Sequence, residues 1–187
     1  IHFGLKGEMT PQHCFSLHVF PETSVIAYRK FKVNTDNYIT ISPDLQLEAN
    51  VDLLADDMTG LKINAERADS VNDITVSLSH VNIEELCSVF PYLPRMSGFL
   101  GGDFHVIRQQ GSFSASGAME ISRFHYGTYD MGGFNTELVF LPEAADSYHL
   151  DALVSCDGQS VAEVDGLYTD SLDGRIDAQV MLNRFPC

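Results

Sequence analysis

Between Asp44 and Leu53 the chain reads "DLQLEANVDL". Leu45, Leu47, Ala49, Val51 and Leu53 fall on one side, and Asp44, Gln46, Glu48, Asn50 and Asp52 on the other. Side chains of a strand alternate between two faces, so this period of two predicts a long strand with one dry and one wet side. The pattern recurs in Leu61/Ile63/Ala65, in Ile74/Val76/Leu78, in Phe113/Ala115/Gly117/Met119/Ile121 and in Ile176/Ala178/Val180/Leu182. Weaker alternation predicts strands near 14–20, 25–33, 37–42, 99–108, 133–141, 147–156 and 159–168. Asp157-Gly158 between two such runs suits a two-residue type I′ hairpin. Asp173-Gly174 opens the last strand, and the polar stretches 42–44 and 141–146 read as breaks. Strands repeating every ~10–12 residues predict an antiparallel meander, not βαβ units.

One segment breaks the alternation. In "VNIEELCSVFPYLP" (81–94), Ile83, Leu86, Cys87 and Phe90 make a helical stripe. Asn82 is a good N-cap and Glu85 stands where a capping box places it. Pro91 and Pro94 stop the helix, which is expected over 82–90. Gly98, Gly101 and Gly102 then let the following strand bend at its start. The chain therefore reads as one β-rich segment, 1–187, with strands over 1–80, the short helix, and strands over 97–184.

Composition narrows the function. Lys and Arg number 11 against 26 Asp and Glu, a net charge of −15. No basic face is available to neutralise phosphates, so nucleic acid is excluded as a partner. Docking on anionic headgroups is disfavoured on the same ground. No run approaches the ~18 apolar residues of a membrane span, and the first residues lack the basic and apolar regions of a signal peptide. The chain is therefore expected to be a piece of something longer, with any anchor outside it. Cys14, Cys87, Cys156 and Cys187 are spaced too irregularly for a zinc cage and are too few for a disulfide scaffold.

Catalytic motifs are missing: there is no GxGxxG, P-loop, HExxH or EF-hand loop. In "HCFSLH" (13–18), His13 points away from Cys14 and His18, which lie ~13 Å apart along a strand. "GQSVA" (158–162) places Ser160 between a turn and a strand, where a nucleophile elbow needs strand then helix. The stretch 121–133, with Tyr126 and Tyr129 in a chain without Trp, reads as a polar–aromatic strand end and turn more than as an aromatic sugar platform. No enzyme activity, metal or cofactor is expected.

The stretch 86–140 resembles the TamB/AsmA-like envelope proteins of Gram-negative bacteria. The resemblance rests on a Leu-rich helix, then Leu93, Pro94, Ser97, Gly98, Leu100 and Gly102, then a strand carrying Gly117, Met119 and Ile121. The stretch 148–186 looks like the continuation, with Asp157-Gly158 at a turn and Gly166-Leu167-Tyr168 ending a strand. Where many relatives have a proline after the Gly-rich strand, this chain has Gly111-Ser112.

The resemblance implies an all-β fold: a long antiparallel meander curved into an open β-taco or half-pipe trough with an apolar concave face. It implies a non-enzymatic periplasmic segment of a protein anchored in the inner membrane outside this chain. Such a segment holds phospholipid or fatty acyl chains on their way between inner and outer membranes, supports outer-membrane protein assembly, or both. The implied partners are lipid, neighbouring segments of the same long protein, and a BamA/TamA-like assembly protein of the outer membrane.

Alternation alone fits the trough. The apolar side would be lined by Leu45, Leu47, Val51, Leu53, Ile74, Val76, Leu78, Phe113, Met119, Ile121, Ile176, Val180 and Leu182. It fits a closed β-sandwich equally well, with the same face covered by a second sheet. On that alternative the chain is an adhesin-like or carbohydrate-binding envelope domain.

Overall fold

The structure, a computed structural model, describes residues 4–20, 25–26, 29–68, 70–88, 92–109, 111–170 and 174–183. The strands are β1 (Leu5–Met9), β2 (Phe15–Val19), β3 (Val25–Ile26), β4 (Arg29–Val33), β5 (Tyr38–Ile41), β6 (Leu47–Ala55) and β7 (Gly60–Ala68), then β8 (Val71–Asn82), β9 (Met96–Gln109), β10 (Ser112–Tyr126), β11 (Tyr129–Ala144), β12 (Ser147–Cys156), β13 (Gln159–Thr169) and β14 (Arg175–Leu182). One helix, α1 (Ile83–Ser88), interrupts them.

The strands form one sheet in the order β1-β2-β5-β6-β7-β8-β9-β10-β11-β12-β13-β14, with β4 also on β6 and β3 on β4. Every pairing is antiparallel. From β6 onward each strand simply pairs with the next, as the short turns between alternating runs require. The first and last strands do not meet, so the sheet stays open. Among the described residues no second sheet stacks on it, so a closed sandwich does not form there.

The Asp157-Gly158 turn has positive φ at both residues, 46° and 79°, as a type I′ hairpin demands. Asn82 caps α1: its Oδ1 accepts from Glu84 N at 3.0 Å and Glu85 N at 3.4 Å. Within the described residues the helix ends at Ser88. Phe90, Pro91, Asp173 and Cys187 lie outside them.

Several expectations are corrected. β6 begins at Leu47, not before it. Leu45 sits in the preceding turn with φ 59° and 74% of its surface exposed. That turn is closed by Ser42, whose carbonyl accepts from Leu45 N and whose Oγ accepts from Gln46 N. The stretch 141–146 is only partly a break, because β11 continues through Pro142 to Ala144. Proline is tolerated there because the ladder to β10 has already ended at Phe140. β1 was not anticipated.

Bulges bend the long strands. Register shifts fall between Leu78 and Val81 on β8 and between Ile121 and Phe124 on β10. At these places His80 and Arg123 take φ of 50° and 51°. A bulge adds a residue to one strand only, which kinks and twists it locally. Gly98, opposite the β10 bulge, has φ 138°, and a Cβ there would lie 3.0 Å from Ser122 O. Its glycine is therefore required by that bulge.

Candidate functional site

Residues directly opposite in an antiparallel ladder share a face, so register can be followed across the sheet. One line runs Val51, Ile63, Val76, Phe104, Gly117, Leu138, Ala152, Val164, Val180. A second spans β1 to β14: Gly7, Leu17, Ile39, Ala49, Ala65, Ile74, Val106, Ala115, Phe140, Leu150, Gly166, Ala178. A third runs Val33, Leu53, Leu61, Leu78, Gly102, Met119, Thr136, Val154, Ala162, Leu182. Thr136 is the one polar residue in all three.

The opposite side has no such continuity. Between the first and third lines it reads Asp52, Lys62, Ser77, Asp103, Ala118, Glu137, Leu153, Glu163, Met181. The sheet therefore has one apolar face and one mixed, acidic face.

All the proposed lining residues except Leu45 lie on the apolar face. Leu47 pairs with Ile41, Ile121 with Phe134, and Ile176 with Tyr168. Their surroundings differ sharply. Val51 and Leu53 are buried with Phe31, Val33 and Ala55, and Val19, Ile39, Leu61 and Ile63 pack against that cluster. There side chains of β2, β4, β5, β6 and β7 pack into one cluster. Further on, Met119 and Ile121 are half-buried, while Phe113, Val180, Ile176 and Leu182 are exposed. Along β10 the apolar side, Gly117, Met119, Ile121 and Phe124, is half-buried, whereas Ser116, Ala118, Glu120 and Arg123 are exposed. Among the described residues no second sheet lies above, so this shading comes from neighbouring side chains of the same sheet.

The floor of the open part is shaped by glycine and aromatic residues. A Cβ at Gly117 would lie 2.6 Å from Cδ1 of Phe104, so that ring rests directly on the glycine backbone. Toward one end Phe113, Phe140, Tyr148 and Tyr168 form an aromatic group. Phe113 and Phe140 stack with centroids 5.1 Å apart, and Phe140 and Tyr148 at 4.9 Å. Such contacts add to area burial and fix the rings in place.

The other end is tied shut at the packed region. Arg29 of β4 reaches Asp57 Oδ2 at 2.9 Å, Thr59 Oγ1 at 2.7 Å and Glu85 Oε1 at 2.6 Å. One guanidinium thus joins the β6–β7 turn to α1. Ile83 of α1 is buried. Amide side chains finish the closure. Asn37 Oδ1 accepts from Val19 N at 2.7 Å and its Nδ2 donates to Val19 O at 3.0 Å. Asn34 Oδ1 accepts from Asp52 N at 2.9 Å. These side chains stand in for strand backbone where residues 34–37 interrupt the path from β4 to β5.

The remaining candidates do not assemble chemistry. Cys14 lies just before β2 and His13 has φ 62°, so they and His18 make no ligand set. Ser160 Oγ donates to Glu163 Oε1, with no histidine in that contact. Cys14, Cys87 and Cys156 are free thiols. Burial, followed by the Asp157 carboxylate, pushes the Cys156 thiol up from its ordinary range. Sequence reasoning missed one grouping. His149, Asp151 and Asp165, on the outer face, bring ligand atoms within 4.8 Å of one another. Its signal was the two-residue spacing of His149 and Asp151, but the third member comes only from the β12–β13 register. Among the described residues no helix is long and apolar enough to cross a membrane. Comparison of the chain with protein-family models, with curated proteins and with solved structures finds no match.

Proposed function

We propose that this chain holds the acyl chains of phospholipids or fatty acids on the apolar side of its open sheet, as a non-enzymatic periplasmic segment of a TamB/AsmA-like envelope protein. Its work would be lipid passage between inner and outer membranes, support of outer-membrane protein assembly, or both. The longer protein's inner-membrane anchor, its neighbouring segments and a BamA/TamA-like partner belong to the same proposal. The observation that carries it is the run of apolar register lines, packed around β4 to β7 and half-buried to exposed along most of β9 to β14.

The dimensions suit the task. At about 4.8 Å per strand, the path from β9 to β14 extends on the order of 24 Å. An acyl chain reaches across half of a hydrocarbon core of about 30 Å, so it fits lengthwise with room to move. Each buried CH₂ contributes ~0.8 kcal/mol wherever it lies. Holding is therefore strong in sum and indifferent to position. A lipid can advance without leaving a specific pocket, and a headgroup can stay in water at the open side.

The test uses a diacyl phospholipid with a diazirine in its acyl chain, photolysed with the folded protein and followed by peptide mapping. Labels are expected on residues such as Leu138, Val164 and Met119 and not on Glu137, Asp165 or Glu120. Labelling of both faces alike, or none, would overturn the reading.

A further inference from the structure

The sheet has two open edges, and they match. Among the described residues β1 pairs only with β2 and β14 only with β13. Unpaired strand edges are templates for another strand. Eleven antiparallel steps separate β1 from β14 in the sheet order, so the two strands run in opposite directions. A copy shifted along the sheet would present β1 to β14 antiparallel with the same face up.

Both edges carry a cation followed two residues later by an anion on the outer side. On β1 these are Lys6 and Glu8, 2.9 Å apart. On β14 they are Arg175 and Asp177, 2.8 Å apart. All four side chains are largely exposed. Antiparallel pairing reverses one edge, so cation falls opposite anion at one register.

We propose that β14 of one molecule pairs with β1 of a second copy, with Ile176 opposite Gly7 and Ala178 opposite Leu5. Arg175 then faces Glu8 and Asp177 faces Lys6 on the outer side. The apolar side runs from one molecule into the next, covering part of Leu5 and Ile176, both now exposed. The two neighbouring registers that keep the faces aligned fail by charge. With Ala178 opposite Gly7, Asp177 meets Glu8. With Ile176 opposite Leu5, Arg175 meets Lys6. Opposite charges directly across a ladder stabilise it and like charges oppose it. Because the joined surfaces differ, the association is head-to-tail and can add further copies. The inference rests on the edges alone and needs no lipid.

The experiment is sedimentation velocity on the lipid-free chain over rising concentration. The wild type is expected to lengthen stepwise. Reversing β1 (Lys6→Glu with Glu8→Lys), or reversing β14 (Arg175→Glu with Asp177→Lys), should weaken association about tenfold or more. All four changes together should restore it to within about threefold of wild type. Circular dichroism checks that these surface variants fold. As a second probe, Leu5→Cys with Ala178→Cys should give an intermolecular disulfide identified by peptide mapping, because facing residues lie within disulfide reach. A strictly monomeric wild type, an indifferent β1 reversal, or failure of the fourfold variant to recover would each overturn the proposal.

Discussion

The same alternation builds two unlike regions. Around β4 to β7, Val51 and Leu53 are 3% and 6% exposed, packed in one cluster with Phe31, Val33 and Ala55. Around β13 and β14, Val180 and Leu182 occupy the same register lines and are 60% and 78% exposed. Period two dictates which face is apolar. It does not dictate whether anything covers that face. The packed region coincides with the place where β4 and β5 both pair along β6, an arrangement that no later strand among the described residues repeats.

The sharpest way to break the comparison is to place one charge in each region. Val51→Glu should cost several kcal/mol in denaturant unfolding, because it buries an unpaired carboxylate in a packed cluster. It cannot serve as a test of lipid holding, since Val51 belongs to the closed end. Next in size, Asn72→Ala should cost about 2 kcal/mol. The Asn72 side chain is buried, accepting from Leu47 N and donating to Leu47 O and Glu66 O, and its loss leaves those groups unpaired. Arg29→Met should cost about 1–2 kcal/mol by releasing α1 from the β6–β7 turn, with an exposed share that solvent already screens. Val180→Glu, on the open side of the edge strand, should change stability by no more than about 0.5 kcal/mol. Smallest, Cys156 should react with a neutral-pH thiol reagent more slowly than Cys14, because its raised pKa keeps it protonated and its Sγ donates to Met131 O.

Much of the fold was legible because strands and turns are local. Period-two runs of three to five apolar positions located β6, β7, β8, β10 and β14, and Asn82 with Glu85 marked α1. The hairpin at Asp157-Gly158 followed from residue type alone. What escaped was non-local or unmarked. The bulges use His80 and Arg123 at positive φ, residues that carry no glycine signal. Leu45 continues the alternation in sequence, yet the Ser42 turn removes it from the strand. β1 is five residues with a central glycine, too short and weak to stand out. The packed N-terminal end depends on β4 and β5 sharing the edge of β6 through Asn34 and Asn37, which no periodicity announces. The candidate face was thus readable residue by residue, while its division into covered and open parts was not.

The most direct test of that division is native mass spectrometry of the chain after incubation with phospholipid vesicles, run on wild type, Leu138→Glu and Val180→Glu, with thermal unfolding alongside. Wild type should carry bound lipid. Leu138→Glu, in the middle of the open face, should lose most of it while its unfolding midpoint stays within a few degrees of wild type. Val180→Glu, at the edge, should lose less. A wild type free of lipid, or a Leu138→Glu variant that unfolds as Val51→Glu does, would mean that the face is covered throughout and would contradict the account.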